Sequence, residues 1–172
     1  MREQQGWGRW AAGCVLAAVT AVAALGGCDV QKIEKLEEGI ATEADVRAQF
    51  GEPAAVYTEA DGARTFEYPR QPEGQRNYMI TIGSDGKMSA LRQVLAPATF
   101  AKVTPGLDKA QVRRLLGRPG KTQVYALKNE EVWDWRYLDS AENKLFSVTF
   151  DTNGVVVNAN SMADTRNTHN GG

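Results

Sequence analysis

One element occurs twice in this chain, and the repetition limits the folds open to it more than any other feature. Gly39-Ile40-Ala41-Thr42-Glu43-Ala44-Asp45-Val46-Arg47-Ala48-Gln49-Phe50-Gly51-Glu52-Pro53 returns as Gly106-Leu107-Asp108-Lys109-Ala110-Gln111-Val112-Arg113-Arg114-Leu115-Leu116-Gly117-Arg118-Pro119. The copies differ by one residue ahead of the valine. From Val46 and Val112 onward the offset is a constant 66, through Phe50 and Leu116, Gly51 and Gly117, Pro53 and Pro119. The match continues with small slips, pairing Phe66-Glu67-Tyr68 with Trp133-Asp134-Trp135 and Ser84-Asp85-Gly86 with Thr152-Asn153-Gly154. A period of this length exceeds the roughly 20–50 residues of solenoid units. Two copies of a small α+β module fit it better.

Within each copy the punctuation is mechanical. Val30, Ile33 and Leu36 share one face of a short first helix, and Gly39 can supply the left-handed residue that ends it. Thr42 with Asp45, and Asp108 with Gln111, have the spacing of an N-cap and its reciprocal partner. Val46 and Phe50, like Val112 and Leu116, fall at i and i+4 and form the buried stripe of a second helix. Gly51 and Gly117 end that helix, and Pro53 and Pro119 prevent its continuation.

β-rich segments follow each helix pair. Copy one offers 54–57, 65–68, 78–82 and 88–95, with Asp85-Gly86 as a hairpin turn; copy two offers 122–127, 131–137, 145–150 and 155–161, with Asn153-Gly154 in the same place. The reading is an α+β fold of two tandem modules, each a helix-loop-helix packed on a small antiparallel sheet of three or four strands. The first module is placed at residues 28–96, the second at 97–162, with 96–99 as the link and 163–172 as a polar, disordered tail.

The N-terminus reads as a secretion signal over residues 1–27. Arg2 and Arg9 precede a 15-residue apolar run, Ala11 to Leu25, which is short of the roughly 20 residues of a membrane span. Leu25-Gly26-Gly27-Cys28 closes the leader with the pattern of a bacterial lipoprotein, in which the thiol is lipidated and cleavage leaves Cys28 first. An ordinary signal peptide or a short anchor helix is the competing reading. Two or three acyl chains, palmitate among them, give stable anchoring at about 0.8 kcal/mol per buried methylene. Cys14 leaves with the leader and Cys28 is consumed by lipid, so no internal disulfide is expected.

The whole chain has 20 Lys and Arg against 21 Asp and Glu; loss of Arg2, Arg9 and Glu3 takes the net charge from −1 to −2. A concentrated basic face for nucleic acid is not expected. His169, the only histidine, falls in the tail, so the folded part has no histidine for a general base or a metal cluster. Glu37-Glu38 and Glu130-Glu131 are adjacent carboxylates that project differently and read as solvated surface, and Gly83-Ser84-Asp85-Gly86 reads as a turn. No catalytic residue, metal or cofactor is assigned.

The Gly, Val, apolar, Gly, Pro element, with Trp133-x-Trp135 and a Phe150-Asp151-x-x-Gly154 hairpin, resembles the BamE family, also called SmpA/OmlA. The resemblance implies a small lipoprotein with two helices on an antiparallel sheet, working with the machine that assembles β-barrels in the bacterial outer membrane. Residues 99–162 carry it well; in copy one Phe66 and Tyr68 stand where the tryptophans would be. The duplication departs from the single module of typical members. Tandem modules of this layout are also similar to β-lactamase inhibitory proteins, which bind an enzyme across a concave sheet.

The functional expectation is a non-enzymatic, lipid-anchored periplasmic scaffold or binding protein contributing to outer-membrane assembly, with an inhibitor or sensor of a periplasmic enzyme as the alternative. Its partners are a membrane, through Cys28, and a protein. Asp29 after the lipidated cysteine is an inner-membrane retention signal in some bacteria, whereas the resemblance points to the outer membrane. Phe66, Tyr68, Trp133, Trp135 and Tyr137 form either sheet cores or, if a row faces outward, a partner surface. The proline-rich segment from Pro69 to Arg76 is either a flexible connector or a recognition loop.

Overall fold

The computed structural model describes residues 28–165. The expected leader at 1–27 and residues 166–172, including His169, lie outside the described residues.

Ahead of its sheet each half carries a capped helix whose ends are set by local chemistry. In α2 (Glu43–Phe50) the Thr42 hydroxyl accepts from the Asp45 N–H at 3.3 Å while the Asp45 carboxylate accepts from the Thr42 N–H at 2.8 Å. In α4 (Lys109–Leu116) Asp108 and Gln111 exchange the same bonds at 2.8 and 2.9 Å. Two otherwise orphaned donors are thereby satisfied at each start. Gly51 and Gly117, at φ +81° and +74°, close these helices with N–H bonds to Arg47 and Arg113, both at 2.8 Å. An L-residue there meets a steric cost of roughly 1–2 kcal/mol.

Two four-stranded antiparallel meanders follow: β1 (Ala55–Thr58), β2 (Arg64–Pro69), β3 (Asn77–Ile82) and β4 (Met88–Gln93), then β5 (Lys121–Tyr125), β6 (Glu130–Asp139), β7 (Glu142–Phe150) and β8 (Val156–Ala163). The fold is α+β with two tandem modules. Corresponding residues pair alike, Phe66 opposite Ile80 and Trp133 opposite Val148. Both last strands carry an irregularity after the hairpin, between Thr81 and Ile82 and between Thr149 and Phe150.

One face of sheet one packs α2 and α1 (Cys28–Ile33) through Val46, Phe50, Phe66, Tyr68, Tyr78 and Ile80. One face of sheet two packs α4 and α3 (Pro97–Phe100) through Val112, Leu116, Trp135, Phe146, Val148 and Phe150. Met79, from the other face of sheet one, joins this second core. The layers therefore run α1 and α2, sheet one, α3 and α4, sheet two. The intervening helix layer touches both sheets.

Several expected boundaries move. The first helix stops at Ile33, and Gly39 serves the following turn, its N–H bonding Met88 O at 2.7 Å; Gly106 does the same toward Val156 O at 3.0 Å. The expected link at 96–99 contains a helix, because Pro97 is preset for a first turn that delivers Phe100 onto Tyr137 and Phe146 at 4.7 and 4.1 Å. Val94 and Leu95 already pack in the second core, so that core begins before residue 97. β5 ends at Tyr125, and 126–128 form a 3₁₀ turn closed by Asn129 at φ +55°. The ordered chain also outruns residue 162: β8 reaches Ala163, and buried Asp164 pairs with Arg136 at 2.8 Å.

Candidate interaction surfaces

The aromatic residues weighed as a partner surface are mostly core. Phe66, Tyr68, Trp135 and Tyr137 are at most 2% exposed, and Trp133 is half-buried against Phe150 at 4.9 Å. Strand alternation aims all of them at the helices, where their apolar area leaves water. Gly39 and Gly106 line the loops zipped to β4 and β8. Val46, Phe50, Val112 and Leu116 are buried; Pro53 and Pro119 follow the two helix stops.

Interior surfaces between the modules are richer in polar contacts. Glu67 is completely buried, on the face of sheet one turned toward α4. Its carboxylate accepts from Tyr57 Oη at 2.6 Å, the Arg118 N–H at 2.8 Å, and Arg113 Nε and Nη2 at 3.2 and 3.4 Å. A buried carboxylate needs such partners to remain charged. Burial and the Glu67 bond push the Tyr57 hydroxyl up to about 12, while the same carboxylate raises the Arg113 guanidinium through its hydrogen bond. Asn77, also fully buried, donates to Leu116 O at 2.7 Å and Arg118 O at 3.1 Å, satisfying carbonyls at the end of α4.

The proline-rich loop joins this junction. Gln71 is buried; its Nε2 donates to Arg136 O at 2.7 Å and its Oε1 accepts the Arg136 N–H at 3.3 Å. Gln75 adds a bond to Asn143. The loop is thus fastened to sheet two of its own chain. Sequence reasoning missed Glu67, Gln71 and Asn77, since nothing near them signals that another module will cover them.

At one end of the molecule Asp29, next to Cys28, is gripped by Arg70 Nε and Nη2 at 3.0 and 3.1 Å. The Arg70 guanidinium lies 5.2 Å over the Phe50 ring, which fixes the start of α1 against the first core. A cleft of about 560 Å³ opens here between Asp29, Arg70, Glu73, Gln75, Arg76 and Leu138. Cys28 is the first residue of α1. Glu131, from one adjacent acidic pair, accepts from Lys109 at 2.5 Å and from the Trp133 indole at 2.6 Å, and these bonds lower its carboxyl below the usual range.

The outer face of sheet two is different. It carries half-buried Val132, Asp134, Leu145 and Thr149 with exposed Leu138 and Met162, and Asp134 accepts from Ser147 at 2.6 Å. Beyond it, Val124, Tyr125 and Leu127 stand in solvent at the β5 end, Leu127 fully. Among the described residues no group of three or more His, Cys, Asp or Glu could hold a metal ion, and no helix is long and apolar enough to cross a membrane.

Residues 93–160 match the family described as the outer membrane protein assembly factor BamE domain. No curated protein matches the chain. Among solved structures, the osmotically inducible lipoprotein OsmE is 22% identical over 41% of this chain and 75% of its own, with a TM-score of 0.36. A DUF4309-family protein, YjgB, from Bacillus subtilis subsp. subtilis str. 168 is 20% identical over 78% and 86%, with a TM-score of 0.31. A protein from Streptococcus mutans described as a β-lactamase inhibitor is 10% identical over 78% and 94%, also at 0.31. The family match begins at the end of β4 and closes within β8, so the similarity to the BamE domain falls on the second module.

Proposed function

We propose that this protein is a lipid-anchored periplasmic scaffold whose second module serves outer-membrane assembly and envelope integrity, while the first module holds it at the membrane. The observation that carries this reading is the BamE match over residues 93–160. It is supported by the position of Cys28 at the start of an α1 that Asp29 and Arg70 fasten to the first core, which leaves no long linker between an acyl anchor and the folded body. A tether of that kind raises the effective concentration of the module against a partner in the same membrane. The role needs a surface, not catalytic groups.

Deletion of the protein should produce a leaky outer membrane, read as sensitivity to large hydrophobic antibiotics, and the wild-type chain should restore the barrier. A Cys28→Ala chain exported through an ordinary signal sequence should lose fatty-acid label and fail to rescue. Full rescue by that soluble form, with a soluble enzyme recovered as cross-linked partner, would instead support an inhibitor of a periplasmic enzyme. The deletion is made in strains with and without any single-module relative.

A further inference from the structure

Asp29 stands one position after the cysteine that would carry the acyl chains, and its carboxylate is turned into the fold. Its side chain is 19% exposed, whereas Glu34, Lys35 and Glu37, further along the same segment, are exposed. Both carboxylate oxygens are engaged by one guanidinium: Oδ2 accepts from Arg70 Nε at 3.0 Å and Oδ1 from Arg70 Nη2 at 3.1 Å. A bidentate pair of this kind fixes the orientation of the acid as well as offsetting its charge.

Arg70 is held in place by contacts other than Asp29. Its own N–H is shared between Asn77 Oδ1 at 3.1 Å and Arg76 O at 3.0 Å, which closes the loop after β2. Its guanidinium lies 5.2 Å over the Phe50 ring and 5.9 Å over the Tyr78 ring. A planar cation seated on aromatic faces keeps its edge available to a carboxylate. The next residue, Gln71, is bonded to the Arg136 main chain of sheet two at 2.7 and 3.3 Å. The guanidinium is therefore positioned by the first core and by the junction between the modules, 41 residues along the chain from the acid it holds.

Two features of this chain point to opposite membranes. An aspartate directly after a lipidated cysteine acts in some bacteria as an inner-membrane retention signal, while the match over residues 93–160 is to an outer-membrane assembly factor. A signal one residue from the acyl chains has to be read as a free carboxylate at the bilayer surface. In the folded chain both oxygens of that carboxylate are already committed to Arg70.

We propose that Arg70 is a built-in mask for Asp29: it withholds the carboxylate from the apparatus that retains lipoproteins in the inner membrane, so that the anchored chain passes on to the outer membrane. This rests on the lipid-anchored, outer-membrane role proposed above and names the device that delivers the chain there. Because the mask is made by the fold, a chain whose first module is open presents Asp29 and stays behind.

The test expresses the full chain with its own leader in a Gram-negative host that retains Cys-Asp lipoproteins in the inner membrane. Wild type, Arg70→Ala and the double variant Arg70→Ala with Asp29→Asn are labelled with a radioactive fatty acid, and the two membranes are separated on a density gradient. Wild type should band with the outer membrane. Arg70→Ala should raise the inner-to-outer ratio at least about tenfold, since the carboxylate is then free in every molecule and not in a minor open fraction alone. The double variant lacks the same arginine, so its return to the outer membrane separates loss of the mask from loss of the fold. Labelled Arg70→Ala distributed as wild type, or a double variant that stays in the inner membrane, overturns the mask and leaves the anchored role standing. Labelled wild type in the inner membrane overturns the mask while the anchor stands. Wild type without label removes the anchor, and the mask falls with it.

Discussion

Glu67 and Asp134 occupy the same position of the repeat, in the middle of an aromatic-acid-aromatic strand, and their surroundings could hardly differ more. Glu67 is fully buried and receives four donors from three residues; Asp134 is half-buried on an open face and is engaged by Ser147. The difference is made by α4. That helix covers the outer face of sheet one, and among the described residues no helix follows β8 to cover sheet two. Duplication therefore gave one sheet two buried faces and left the other with one. The first module is held from both sides, and the second keeps surface to spare.

Acid deletions break this comparison most severely. Glu67→Ala leaves the Arg113 guanidinium, the Tyr57 hydroxyl and the Arg118 N–H without their acceptor. We expect a loss of about 2–3 kcal/mol, below the roughly 3–5 typical of breaking a fully buried pair, because the Arg113 side chain is 40% exposed. Asp134→Ala, with the Ser147 bond at an open face, should cost about 1 kcal/mol or less. Equal losses in denaturant midpoint would mean that α4 does not cover sheet one.

The two helix stops are the next contrast. A Cβ at Gly51 meets nothing within 4 Å, whereas one at Gly117 lies 3.0 Å from the Asn77 amide nitrogen that serves Leu116 and Arg118. Both share a positive φ. Gly51→Val should cost about 1 kcal/mol from the backbone alone, and Gly117→Val about 2 kcal/mol or more, since Asn77 must also move. Thermal midpoints separate the two.

Such contrasts show what was legible in the sequence. Helix caps, glycine stops, eight β segments and two hairpin turns all lie in residues that act on neighbours within a few positions, and the α+β tandem followed from them. Strand alternation places Glu67 on the face opposite its two aromatic neighbours, and nothing in the local sequence says whether that face is covered. Its burial depends on a helix 46 residues away. Gln71 sits in the Pro69–Arg76 stretch that reads as a connector or a recognition loop, and Asn77 directly follows it, so neither signals its burial. The helix at Pro97–Phe100 is too short for any periodicity to appear.

The smallest expected effect is alkaline. Tyr57 titrates near 12 in the folded protein against an ordinary value of 10, so the folded state holds the proton more tightly. Its contribution is complete below pH 10 and is lost as pH rises toward 12. Tyr57→Phe should flatten that limb of the stability profile, and phenolate absorbance should show one late-titrating tyrosine fewer. An unchanged limb would assign it elsewhere.

The claim that α4 joins both modules into one unit is tested most directly by equilibrium urea unfolding of the chain from residue 28 onward, followed at once by tryptophan fluorescence and by amide exchange at Ile80. Trp133 and Trp135 report on sheet two, and Ile80 on sheet one. The account predicts coincident transitions, both displaced equally by Glu67→Ala, as a single cooperative unit requires. Two separated transitions, with Glu67→Ala moving only the one seen at Ile80, would contradict it.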